Sequence, residues 1–300
     1  MNHPPADKVL LPAVFRLRQR GFSLIEIALV LVIVGLALGG IMAALGPQLE
    51  NRKVGDTQER IKQASDAIMA FAMVNRRLPC PATAASAGLE VVSAGAAGTR
   101  GQCANPNDGF VPARTLGLGE QGPDGLMQDA WGFGIRYAVD QRMYIGAGHN
   151  PAATKKDCSV AGEPCYPFTQ VDGLKSAYYE DAAPATVPAA EFAPTFVETT
   201  GIPVGQLEVC TTFTGITATS CGTAVRLAQA GFVVWSTVRN GAEIPGGGGV
   251  DEAANLNNDP VYVFHPRSEP SAANGAFDDI FLWQPTSVIG SGLIKAGVLP

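Results

Sequence analysis

The chain has 300 residues, with 21 Lys and Arg against 27 Asp and Glu, 35 glycines and 22 prolines. That length suits one or two folded units with a sizeable core. The small charged fraction, 16%, together with so much Gly and Pro excludes a plain helical bundle and predicts a loop-rich α+β body, and the acidic balance opposes non-specific nucleic-acid binding, which needs a basic surface to displace counterions from phosphates.

Charge is unevenly placed along the chain. Residues 1–21 carry Lys8, Arg16, Arg18 and Arg20 against Asp7 alone, leaving 17 basic and 26 acidic residues in the remainder. From Phe22 to Leu45 there are 24 residues whose only charged side chain is Glu26. Twenty-four helical residues at ~1.5 Å per residue give roughly 36 Å, enough for the ~30 Å hydrocarbon core of a bilayer. The run is too long for the ~7 to 15 apolar residues of a cleaved secretory signal. A plain single-pass anchor fits the length but leaves Glu26 without a role, because an acid inside a membrane helix costs on the order of 2.5 to 3.5 kcal/mol. The basic flank places the N-terminus on the cytoplasmic side.

Gly21-Phe22-Ser23-Leu24-Ile25-Glu26 followed by an unbroken apolar helix resembles the class III signal of type IV prepilins and type II secretion pseudopilins. The resemblance implies that a prepilin peptidase cuts between Gly21 and Phe22 and methylates the new terminal Phe22, so that residues 1–21 are a leader. It also implies a partner for Glu26. A freed α-amino group is largely cationic at neutral pH, with a pKa near ~7.7 to 8.0. Glu26, four residues on, could pair with that amine within its own helix or in a neighbouring subunit.

Gly39-Gly40 and Gly46-Pro47 predict a bend in the helix beyond the apolar run. Residues 47–77 then read as an amphipathic helix, with Val54, Ile61, Ala64, Ile68 and Phe71 on one face. Leu78-Pro79-Cys80-Pro81 ends it and opens a head over 78–300. Residues 82–101 read as loop, and strands are expected at 134–139, 143–146, 207–213, 231–236, 261–265 and 280–283. The Pro-, Ala- and Thr-rich tract over 147–203 reads as an insertion. The expected architecture is therefore a long bent N-terminal helix, its half over 22–46 transmembrane and its half over 47–77 amphipathic, packed on an antiparallel sheet.

Two patches in the head extend the resemblance. Asp129-Ala130-Trp131-Gly132 with Tyr137 is similar to a motif at the first head strand of major pseudopilins. Ser236–Gly241 with Gly246–Gly249 and then Asp278-Asp279-Ile280 is similar to their glycine-rich turn and following acidic segment. In those proteins the turn binds calcium. Carried over by position, the implied ligands include Asn240 and Asp279, and Asp251, Asp259 and Asp278, with Glu252, Asn255 and Asn257 nearby, offer further hard oxygen atoms. Asn and Asp are also ordinary turn formers.

The six cysteines, Cys80, Cys103, Cys158, Cys165, Cys210 and Cys221, all follow the apolar run, which suits an oxidising compartment. Sequence neighbours suggest Cys80 with Cys103, Cys158 with Cys165 and Cys210 with Cys221, although six cysteines leave other connectivities open. No close Cys or His pair has zinc-site spacing. His149 and His265 have no nucleophile or metal-ligand companion at motif spacing, and Gly246–Gly249 lacks the Lys and Ser/Thr of a phosphate loop. The sequence thus reads as a non-enzymatic structural subunit without a small-molecule substrate. Its implied partners are prepilin peptidase, other pilin or pseudopilin subunits and an inner-membrane assembly platform. The implied location is the bacterial inner membrane, with a periplasmic head, and then a periplasmic or extracellular filament. The alternative is a filament-displayed binding or adhesin module that uses the enlarged head.

Overall fold

The computed structural model describes residues 23–93, 101–119, 122–145, 164–171, 173–174, 195–196, 198–199, 202–203, 205–238 and 249–299, with the side chains of 37–45, 144–145, 164–165 and 195–203 outside that description. The chain divides into two units, residues 1–50 and 51–300, and helix α1, Leu24–Asn75, contributes residues to both.

In the first unit the helix opens directly after Ser23, whose carbonyl accepts from the backbone N–H groups of Glu26 and Ile27 at 3.0 and 3.2 Å. Its described side chains from Leu24 to Leu36 are exposed. The expected long N-terminal helix is one continuous element through Gly39-Gly40 and Gly46-Pro47, with Pro47 inside it. An internal proline costs about 3 kcal/mol and one hydrogen bond, but propagation adds a bond per residue on either side and can outlast it. Among the described residues no helix is long and apolar enough to cross a membrane. The transmembrane half expected over 22–46 is therefore not borne out among the described residues, and the side chains of 37–45, within that range, lie outside them.

In the second unit the remainder of α1 lays its small and aliphatic residues on the core. Ile61, Ala64, Ile68 and Ala72 are fully buried, and Val54 and Phe71 are half-buried at the margin. The helix stops at Asn75. Arg76 takes φ +55°, a left-handed conformation that cannot propagate a right-handed helix. Its carbonyl accepts from the Leu174 N–H at 3.1 Å, and the Leu78 N–H goes on to the Phe168 carbonyl.

The strands that follow are β1 (Gly109–Phe110), β2 (Arg136–Val139), β3 (Tyr144–Ile145), β4 (Pro164–Cys165), β5 (Thr195–Phe196), β6 (Glu198–Thr199), β7 (Ile202–Pro203), β8 (Leu207–Cys210), β9 (Arg226–Ser236), β10 (Val261–Val263) and β11 (Ile280–Pro285). Two further helices are α2 (Val250–Ala254) and α3 (Thr286–Lys295). Each strand expected from the sequence has a counterpart here, whereas α2, α3 and the two-residue β1 were not anticipated. The tract over 147–203 lies mostly outside the described residues; its described pieces form the small sheets β4-β3-β5 and β6-β7.

The main sheet runs β1-β2-β9-β8-β10, with β11 also on β9. Val233 is opposite both Ala138 of β2 and Trp283 of β11, so these two strands flank β9 on opposite edges. The expectation of a purely antiparallel sheet is corrected by β10, which pairs parallel with β8 through Val261↔Glu208 and Val263↔Cys210. The reason is topological. Both edges of β9 over 232–235 are taken, so β10 joins the free edge of β8, and it runs in the direction of β8 because the chain reverses twice between them, once into β9 and once after it.

Alternation on β9 divides the core. Phe232 and Val234 face one way, with Tyr137, Val139, Ile280 and Leu282, onto the buried stripe of α1 and onto Ile289 and Leu293 of α3. Val233 and Trp235 face the other way, with Ala138, Tyr262, Phe264, Phe281 and Trp283. Burial of both faces explains why residues 231–236 read as a continuous apolar run and not as an alternating one. Ile68→Ala should lower unfolding stability by about 2 to 5 kcal/mol, because a cavity would open where α1 meets the sheet. Chemical denaturation monitored by tryptophan fluorescence would measure this, and a change under about 1 kcal/mol would contradict the packing.

Candidate functional site

The sequence points to two regions, the N-terminal end and the acidic corner of the head. At the first, Gly21 and Phe22 lie outside the described residues. Glu26 stands in the first turn of α1, exposed, on one helical face with Ile27, Val30 and Leu31. A single charge on an otherwise apolar face is costly to cover unless its cover brings a cation or donors.

In the head, the two resembling patches meet. Asp129 is buried, and its Oδ1 accepts from the N–H groups of Trp131 and Phe133 at 2.8 and 2.9 Å, closing the turn in which Gly132 takes φ +91°. Its Oδ2 accepts from the Ser236 hydroxyl at 2.6 Å, and Ser236 Oγ in turn accepts from the Val238 N–H. The start of the glycine-rich segment is thereby fixed to the Asp129 turn. Helix α1 holds the same turn: Arg60 donates to the carbonyls of Gln128 and Asp129, Thr57 Oγ1 accepts from the Ala130 N–H, and Lys53 lies over the Trp131 ring. Sequence reasoning identified Asp129 and Ser236 as members of separate motifs. It missed Thr57 and Arg60, whose only signal was two polar residues on the buried side of an amphipathic helix.

The acidic residues divide among three environments. Asp251, on α2, is buried and serves as a structural hub. Its Oδ1 accepts from the Phe213 N–H at 2.5 Å, and its Oδ2 accepts from Asn274 Nδ2 at 2.9 Å and faces His265 Nε2 at 3.0 Å. Asp259 closes a local turn by accepting from Asn257 Nδ2 and the Val261 N–H, and partial burial raises its carboxyl pKa. Among the described acidic residues, Glu252, Asp278 and Asp279 converge, each offering an oxygen within 4.8 Å of the others. Glu252 Oε1 accepts from the Asp278 N–H at 2.6 Å, Asp278 Oδ2 is 3.8 Å from Arg267, and Asp279 Oδ2 accepts from Asn255 Nδ2 at 3.1 Å. Of the five residues considered for a cation, Asp278 and Asp279 come together, Asp251 and Asp259 stand apart, and Asn240 lies outside the described residues.

Burial and then the neighbouring Glu252 carboxylate push the Asp279 pKa well above its ordinary value, while the Asn255 amide opposes this. Three carboxylates in partly dry surroundings fit a hard divalent cation, whose charge would remove their mutual repulsion.

The structure joins Cys80 to Cys103 and Cys210 to Cys221. Cys158 and the side chain of Cys165 lie outside the described residues. His265 Nδ1 lies 2.7 Å from the Pro266 carbonyl oxygen, and its other nitrogen faces Asp251.

A raised carboxyl pKa favours the fold while the group is protonated, so the contribution of Asp279 is fully present below the unfolded value near ~3.9 and is lost as pH rises through its raised value. In chelator, Asp279→Asn should therefore gain thermal stability over the unsubstituted chain as pH rises from 4 to 8. Adding calcium should raise the melting temperature of the unsubstituted chain and leave the variant unmoved. A variant that is uniformly less stable across that range would refute the proton assignment.

No curated protein and no solved structure matches this chain. Residues 16–42 match the family model of the prokaryotic N-terminal methylation motif, so the chain carries the N-terminal signal of type IV pilin-like proteins.

Proposed function

We propose that this chain is a structural subunit, a pseudopilin or minor pilin, which prepilin peptidase cuts between Gly21 and Phe22 and methylates at Phe22 before assembly into a type IV pilus-like or type II secretion filament. The observation that carries the reading is the methylation motif over residues 16–42, which includes the Gly21-Phe22 step and the single acid at Glu26. The motif suggests a pilin-like subunit processed by that peptidase; the machine, the neighbouring subunits, the assembly platform and the inner-membrane origin are our extension of it. Exposed aliphatic side chains along the described start of α1 support a surface that other subunits cover. The division of residues 22–46 and 47–77 into a filament-core half and a head-packed half belongs to the same proposal. Within the head, we propose that Glu252, Asp278 and Asp279 take a calcium ion, for which the calcium response of Asp279→Asn is the test.

The first experiment is the intact mass and N-terminal sequence of the chain extracted from cells that contain a prepilin peptidase. The expected product starts at methylated Phe22, and Gly21→Ala should leave the full precursor. A product that still starts at Met1 in the unsubstituted chain would overturn the reading. Glu26→Leu should be cut normally but should enter filaments at least about tenfold less, because it removes the charge that pairs with the freed amine. Equal recovery in sheared filament fractions would refute the charge pairing without touching the cleavage assignment.

A further inference from the structure

The two disulfides among the described residues of the head are built on the same non-covalent device. The backbone N–H of Cys80 donates to Glu90 Oε2 at 3.0 Å, and Arg77 grips the Glu90 carboxylate at 2.7 and 2.6 Å. The backbone N–H of Cys221 donates to Glu208 Oε2 at 2.8 Å, and Arg226 grips Glu208 Oε1 at 2.7 Å, with Gln206 Nε2 as a second donor at 3.1 Å. Each arginine is itself positioned. Arg77 lies over the Phe71 ring of α1 at 4.9 Å, and Arg226 sits on β9 directly opposite Cys210. The second cysteine of each pair is also held without the bridge: the Cys103 N–H donates to Gln141 Oε1 at 2.9 Å, and the Cys210 carbonyl accepts from the Phe264 N–H. Glu208 is 2% exposed, and its carboxylate and both sulfurs of the Cys210–Cys221 bridge lie within 4.8 Å of one another.

We propose that Glu90 and Glu208 are positioning residues for disulfide formation, each anchoring one cysteine by its backbone amide so that the reduced head already holds its thiols in bonding range. Without such anchoring, bringing together cysteines 23 and 11 residues apart costs loop-closure entropy at the moment of oxidation. A hydrogen bond to a charged acceptor with an arginine behind it is the strong kind, so it can hold the loop before the covalent bond exists. The oxidant is a disulfide. One protein thiolate attacks it and releases a thiolate, the second protein thiolate attacks the resulting mixed disulfide and releases another, and two electrons and two protons leave the protein cysteines for the oxidant.

The test equilibrates the purified full chain with reduced and oxidised glutathione and follows each bridge separately by alkylation and peptide mass mapping. Glu208→Leu should lower the equilibrium constant for Cys210–Cys221 by at least about tenfold while leaving Cys80–Cys103 within about twofold, and Glu90→Leu should do the reverse. The proposal is overturned if a variant leaves its own bridge unchanged, or if both bridges weaken together, which would mark general loss of structure. Should the leucine variants fail to fold, Glu208→Gln and Glu90→Gln keep the side-chain shape. A loss of about threefold or more, confined to the matching bridge, is then expected, and an unchanged constant again overturns the proposal.

Discussion

The head depends on one strand. Over residues 232–235, β9 is paired on both edges, by β2 and by β11, and it is buried on both faces. A strand in that position has no free backbone group to satisfy elsewhere and no face to leave in water, so every neighbouring element must be arranged around it. The aliphatic stripe of α1 and helix α3 cover one face, and an aromatic layer of Trp235, Tyr262, Phe264, Phe281 and Trp283 covers the other. The Trp235 ring meets Tyr262 edge-on at 5.1 Å and stacks on Phe281 at 6.0 Å, arrangements that suit the ring quadrupoles. Because β9 has no vacant edge there, β10 is left to join β8 in parallel, and the mixed sheet follows from that.

Polar contacts then fix what apolar packing leaves loose. The Asp129 carboxylate closes its own turn and receives the Ser236 hydroxyl from the end of β9, while Arg60 and Thr57 of α1 bond to the backbone of the same turn. A buried carboxylate is tolerated because its acceptor sites are filled, and removal of one donor would leave the rest paying for desolvation. The pairs Arg77–Glu90 and Arg226–Glu208 follow the same logic at the Cys80–Cys103 and Cys210–Cys221 bridges. In both cases a charged group serves local geometry, and its worth lies in fixing one arrangement of loops over others.

The carboxylates of the acidic corner show how little composition says about role. Asp251, Asp259 and Asp279 are the same residue within thirty positions. One is a hub that joins three loops, one closes a surface turn, and one sits beside two other acids with its pKa raised by burial and by Glu252. A cluster of like charges becomes a site only where backbone geometry points several of them at one point, and here the short α2 and the two residues just before β11 do so for Glu252, Asp278 and Asp279.

The sequence by itself determined the features that are local. The methylation motif is a contiguous string, so Gly21, Phe22 and Glu26 are read in one pass. The stripe Ile61, Ala64 and Ile68 is a helical period, and the β-branched and aromatic runs located each strand of the main sheet except the two-residue β1. What it did not determine is what depends on distant partners. The parallel placement of β10 rests on which strand edges remain open after the others have paired. The separation of Asp251 from Asp279, and the meeting of Ser236 with Asp129 across 107 positions, rest on turns whose direction is set only once both faces of β9 are covered. Short-range patterns carry periodicity and cleavage chemistry, whereas edge occupancy and the convergence of charges are properties of the packed chain.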